Sequence, residues 1–424
     1  MNFKAWIQWY RSLEITRKWF VILIIIRPLI DNFYELKQTS VLASPLYIVG
    51  VLTPVLILMS FTSKNFLNYN NAPQDFFIKV FGVFLFFNCI YFFVSQFSIT
   101  ALGDLVKYTT PILLYFYARA FIQSKKDLDG IMFSCLIACI FPLGMLVYES
   151  IFNPIAIEYI STGRGGGSRI RGAYADIMNY AVYIVLFFII IGYLFLTNLY
   201  VKSKLKLKIN AFHVAAALVF VVYALSRIKH VSTWTVTFVI FLLLMIHNLK
   251  NAKGFVFVIV LLTIISAFFA ESLYDSQIEP LIGKEIRVIE GESETNYAFN
   301  GRMSRWERYF EIWEQMPMTN HFIGITTANF PETDNMIGAG MHSDYVRLLF
   351  LTGFIGVGSY VFFFLAIGSK YSQLKMAEKF LLSATVCSLL LWSVSTIPTL
   401  YAPLIYFTYP VFAYALLPKK MLYA

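Results

Sequence analysis

His342, Asp344 and Arg347 stand within six residues of one another, at the end of the only long polar stretch in an otherwise apolar chain. An imidazole with an ordinary pKa of about 6.5 takes or gives a proton at neutral pH. A carboxylate two residues on is placed to orient it. Upstream, Gly301-Arg302-Met303-Ser304-Arg305-Trp306-Glu307-Arg308 gathers three guanidinium groups within seven residues. Arg171 precedes one apolar run and Arg227 closes another. A guanidinium binds phosphate or carboxylate through two parallel hydrogen bonds, which lysine cannot do. The chemistry that fits is capture of an anionic group, such as the diphosphate of a lipid carrier, beside a histidine that serves a proton. A plainer reading pairs the arginines with Glu285, Glu290, Glu292, Glu294, Glu307 and Glu311 and leaves His342 a loop residue. His321 and then His230 are the next candidates, and His213 and His247 fall in or beside apolar runs as packing residues.

These residues must be carried by membrane helices. The chain of 424 residues is 58% hydrophobic and only 14% charged. Soluble domains are about 45–50% apolar and about 25% charged, so the excess places the chain in a bilayer. Twelve apolar runs are expected to span it, at 19–36, 43–61, 76–94, 99–122, 131–148, 177–197, 209–226, 232–249, 254–270, 345–368, 378–396 and 402–417. The first lacks a small-residue cleavage site and is read as a retained span. Arg27 and Asp31 within it are expected to pair beside Pro28. Lysines fall in alternate loops, which puts both termini in the cytoplasm and the long polar loop outside it. The formal charge of +10 therefore reflects membrane orientation, and no nucleic-acid partner is expected. The domain plan is membrane helices over 1–270, an extracytoplasmic catalytic loop over 271–344, and membrane helices over 345–424, in one membrane domain.

Within the loop, 302–316 reads as an amphipathic helix. Arg302, Trp306, Tyr309, Phe310, Trp313 and Met316 share one face, and Pro317 ends it. The Gly-rich Ser161–Gly167 lacks the Gly-Lys-Ser/Thr ending of a phosphate-binding loop. Cys89, Cys135, Cys139 and Cys387 all lie in apolar runs and read as small hydrophobes. No spacing fits a metal or a dinucleotide, so no cofactor is expected.

Three features resemble the bacterial O-antigen polymerase and O-antigen ligase superfamily of polytopic glycosyltransferases. Ser226-Arg227 is similar to that family's Ser-Arg-Thr segment. Gly301-Arg302-x-x-x-Trp306 before Pro317 and Gly324 resembles its outer loop. His342 before a span that turns on Gly353 and Gly356 resembles its His-Asn segment. Ile228 and Ser343 depart from the pattern. The resemblance implies a metal-independent, GT-C-like, all-α enzyme in the bacterial inner membrane. It would polymerise undecaprenyl-diphosphate-linked repeat units of O-antigen, capsule or exopolysaccharide at the outer face. The alternatives are a ligase that moves finished glycan to lipid A-core, and a flippase. Arg227 and Arg302, with Arg305 and Arg171, would hold the donor diphosphate. His342, helped by Asp344, would act at the acceptor hydroxyl. A flippase and a chain-length regulator are the implied partners, beside membrane lipid.

Overall fold

The computed structural model describes residues 1–33, 44–61, 72–152, 155, 157–159, 168–174, 176–200, 208–248, 286–291, 302–325, 342–418 and 422. Its elements, in chain order, are α1 (Phe3–Ser12), α2 (Ile15–Asp31), α3 (Pro45–Phe61), α4 (Asp75–Gln96), α5 (Ile99–Phe121) and α6 (Lys125–Ile151). A two-stranded antiparallel hairpin follows, β1 (Ile157–Tyr159) on β2 (Ser168–Ile170), with Ile157 opposite Ile170. Then come α7 (Met178–Tyr200), α8 (Ala211–Ile228), α9 (Val231–His247), α10 (Arg302–Glu314), α11 (Met318–Ile323), α12 (Asp344–Gly368), α13 (Met376–Ser395) and α14 (Ala402–Ala415). The fold is all-α apart from the hairpin. Among the described residues six helices, α4, α6, α7, α8, α12 and α13, are long and apolar enough to cross a membrane. The remaining apolar runs coincide with α2, α3, α5, α9 and α14, while the run at 254–270 lies outside the described residues.

Two compact units emerge, neither contiguous in sequence. The first takes Met1–Ile48, Lys126–Glu294 and Leu374–Ser388; the second takes Val49–Lys125, Thr295–Gln373 and Leu389–Ala424. In the first unit α7 is apolar all round and almost wholly buried, as such a helix must be. Polar side chains inside that unit are used as struts. Tyr180 donates to Glu149 Oε1 at 2.8 Å, and Tyr174 donates to the Pro28 carbonyl at 3.0 Å. The Arg27–Asp31 pair expected in the first span forms, at 2.7 Å. Burial, with the carboxylates of Asp31 and Glu149 nearby, pushes the Tyr174 hydroxyl far above the usual phenol pKa.

In the second unit a buried carboxylate ties three helices together. Asp75, at the start of α4, accepts from Tyr115 and from Arg119 Nε, both on α5. Arg119 Nη1 reaches the Ala413 carbonyl on α14 at 3.2 Å. Every polar group in this knot has a partner, which a low-dielectric interior demands.

Candidate functional site

The segment from His342 to Arg347 is bolted to a stretch some fifty residues downstream. Ser343 Oγ donates to the Ser393 carbonyl at 3.1 Å, and the Asp344 N–H donates to the Thr396 carbonyl at 3.0 Å. Tyr345 donates to the Leu390 carbonyl at 2.9 Å. Asp344 is fully buried and accepts four hydrogen bonds. Arg347 Nε and Nη2 and Thr399 Oγ1 reach its Oδ1, and the Thr399 N–H reaches Oδ2 at 3.0 Å. Arg347 Nη2 also donates to Thr399 Oγ1, and its guanidinium lies 5.3 Å from the Tyr108 ring centroid. The acid at the first turn of α12 also suits the helix dipole.

His342 projects from this anchor. It is exposed, and its backbone takes φ 45°, a left-handed conformation that costs a non-glycine residue about 1 kcal/mol or more. The other four histidines make defined local hydrogen bonds. His213 completes the capping box of α8 with Asn210. His230 bonds Thr233 Oγ1, and His247 Nδ1 donates to the Leu243 carbonyl. His321 Nε2 donates to the Trp313 carbonyl at 2.6 Å, with its ring 5.0 Å from the Trp313 ring, so the nearest rival histidine fastens α11 to the end of α10. The carboxylate of Asp344 is spent on Arg347 and Thr399. Its geometry is that of a foundation under His342, where the sequence suggested an orienting partner for the imidazole.

Arg302 and Arg305 occupy the first turn of α10, both half-buried. That turn carries no acid of its own. The helix stops at Glu314, two residues before the sequence-based end. Its aromatic face is narrower than expected. Tyr309 and Trp313 are buried, and Trp306 and Met316 pack beside them, whereas Phe310 remains 41% exposed. These rings join Val346, Phe350 and Leu349 of α12, so the helix bearing both arginines rests on the helix that His342 precedes. Burial raises the Tyr309 hydroxyl pKa, and the nearby Arg305 pulls it partway back.

One break makes that packing possible. Gly353 interrupts α12 at φ 62° and ψ −171°, while Gly356 stays helical. The family resemblance put a turn at Gly353 and Gly356; the chain breaks at Gly353 alone. A Cβ on Gly353 would stand 2.4 Å from the Phe322 carbonyl carbon, and one on Gly324, at φ 85°, would stand 2.5 Å from that of Leu351. Two backbones touch here, which only glycine permits. The carbonyls near the break are taken. Ile325 N–H donates to Phe350 at 2.7 Å, and Asn88 Nδ2 donates to Leu351 at 2.6 Å and to Ile323 at 3.2 Å. Asn88 escaped the sequence reading, although an asparagine inside an aromatic-rich span is itself a signal. Thr399 carried no such signal.

Arg171 and Arg227 lie in the other unit. Arg227 is exposed in the last turn of α8, and Lys229 closes that helix in a left-handed conformation at φ 44°. Arg171 follows β2, which packs against α8. Its Nε is buried and has no hydrogen-bond partner among the described residues. Among the described residues no three His, Cys, Asp or Glu side chains gather as a metal site would require. Gly301 and three of the six glutamates weighed as ion-pair partners, Glu285, Glu292 and Glu294, lie outside the described residues. No protein-family model matches the chain, and no curated protein matches it.

Proposed function

We propose that this chain is a glycosyltransferase of the O-antigen polymerase and ligase type, which joins lipid-linked oligosaccharide repeat units at the outer face of a bacterial inner membrane. The observation that carries the reading is His342: exposed, held at a strained φ, and mounted on a fully bonded buried anchor. Strain maintained by surrounding structure is characteristic of functional positions. In this reading the acceptor hydroxyl loses its proton to His342 as its oxygen attacks the anomeric carbon of the donor. The bond from that carbon to the diphosphate breaks, and undecaprenyl diphosphate leaves with the electron pair. Arg302 and Arg305 hold the developing negative charge at the first turn of α10. Arg227 and Arg171, in the other unit, are assigned to anion binding on the family resemblance alone, and the Arg171 Nε has no hydrogen-bond partner among the described residues. Asp344 serves by position. The full arrangement of about twelve spans in a GT-C-like fold, with a flippase and a chain-length regulator as partners, belongs to this reading.

The test is incubation of the purified protein with one lipid-linked repeat unit, with and without a chelator. A ladder of products identifies a polymerase. Transfer only to a second acceptor such as lipid A-core identifies a ligase. Movement of the lipid across a bilayer without bond formation identifies a flippase and overturns the reading. Loss of turnover in chelator, restored by one divalent metal, overturns the arginine account of charge stabilisation.

A further inference from the structure

We infer that α1 forms a docking strip for anionic phospholipid headgroups. This rests on the chain being a membrane protein and not on its glycosyltransferase reading. The helix has a capped start, with Asn2 Oδ1 accepting from the Ala5 N–H at 2.9 Å. Its inner face is fixed to the beginning of α6. Trp9 is 1% exposed and lies over Gly130, where a Cβ would come within 2.4 Å of the indole. Trp9 Nε1 donates to Asp127 Oδ1 at 3.1 Å, and Trp6 Nε1 donates to Ser134 Oγ at 3.0 Å. Asp127, Gly130 and Ser134 belong to the first three turns of α6, the polar end of a membrane-crossing helix. Indoles bonded at that level mark the boundary between lipid and water.

The outer face has the pattern of an interfacial helix. Phe3 is 59% exposed and ends a stacked row with the half-buried Trp6 and Tyr10, the first of which also holds α6. Lys4 and Arg11 are exposed and stand about 20° apart around the helix, on one stripe beside that apolar row. Lys126, exposed in the first turn of α6, adds a third cation next to Asp127, which Trp9 Nε1 reaches. Aromatic residues that enter the acyl region beside cations that stay in water fit a phospholipid surface. A basic side chain at such a surface contributes a factor of about five in affinity, so three contribute on the order of a hundredfold.

The full chain in phosphatidylcholine nanodiscs doped with phosphatidylglycerol provides the test, with retained lipid counted by native mass spectrometry. The expected result is enrichment of phosphatidylglycerol that weakens with salt and falls at least tenfold in the Lys4→Gln, Arg11→Gln, Lys126→Gln triple variant. A charge-keeping Lys4→Arg, Arg11→Lys variant should retain it. Unchanged enrichment in the triple variant, or its loss in the charge-keeping one at an unaltered unfolding midpoint, overturns the inference. Displacement of the lipid by millimolar inorganic phosphate also overturns it, since the strip would then take a free anion.

Discussion

Replacing Arg347 by Met should destabilise the second unit by about 3 kcal/mol. Arg347 is 5% exposed and Asp344 is fully buried, so neither charge has water to fall back on. Removing one partner of a buried pair costs about 3–5 kcal/mol, because the remaining charge is left without compensation. Two bonds from Thr399 still reach the carboxylate, at 2.9 and 3.0 Å, and hold the cost toward the lower end of that range. Introducing Asp344→Asn first removes the stranded charge. In that background Arg347 is itself the stranded charge, so the same Arg347→Met change should cost about 0 kcal/mol, giving a coupling of about 3 kcal/mol. Equilibrium unfolding of all four proteins in mixed micelles, titrated with a denaturing detergent, measures the cycle. A single Arg347→Met variant within about 0.5 kcal/mol of wild type would refute the buried anchor. Equal costs in both backgrounds would show that the pair is not coupled.

His342→Ala should lower glycosyl transfer by roughly 10²–10⁴-fold while leaving lipid-linked donor affinity in place; loss of both together would move the histidine into the diphosphate site. Arg227→Lys keeps the charge but loses the two-pronged geometry, so donor affinity should fall roughly tenfold or more; unchanged binding would make Arg227 a membrane-interface anchor. Gly353→Ala forces a Cβ against the Phe322 backbone at φ 62°, and should lower the unfolding free energy by more than the ~1–2 kcal/mol of the backbone conformation alone; a neutral result would contradict the helix break. Asn88→Leu strands the carbonyls of Leu351 and Ile323 and should increase hydrogen exchange across 318–325, whether or not the protein transfers sugar; wild-type exchange there would show that Asn88 does not brace the break.

The helices were legible because a bilayer imposes one requirement on every spanning segment, a long apolar run with its backbone bonds satisfied internally. That requirement is local, so composition reveals it. The Arg27–Asp31 pair was legible for the same reason, since both residues sit on one helix one turn apart. The anchor under His342 was legible only by half. Asp344 and Arg347 were singled out, but the carboxylate was assigned to the imidazole, and Thr399, which supplies two of the four bonds to Asp344, lies 55 residues on. No periodicity links a threonine after a proline to an aspartate at the head of another helix. Without it, Asp344 looked free to steer the imidazole.

The break at Gly353 was legible only through the family resemblance, which did not separate it from Gly356. A glycine in an apolar run is compatible with an unbroken span, and Gly356, three residues on, remains helical. What distinguishes Gly353 is the approach of the Phe322 backbone, which depends on α10 and α11 folding back along α12. The break is tolerated because Asn88 and Ile325 bond the carbonyls beside it. Asn88 lies far upstream, and its polarity within Phe-rich α4 is the one mark the sequence carries of that contact. The positions that set the site's geometry are therefore the polar residues least suited to the lipid around them, each retained by a partner distant in sequence. His342, at φ 45°, directly precedes the anchored Ser343 and Asp344.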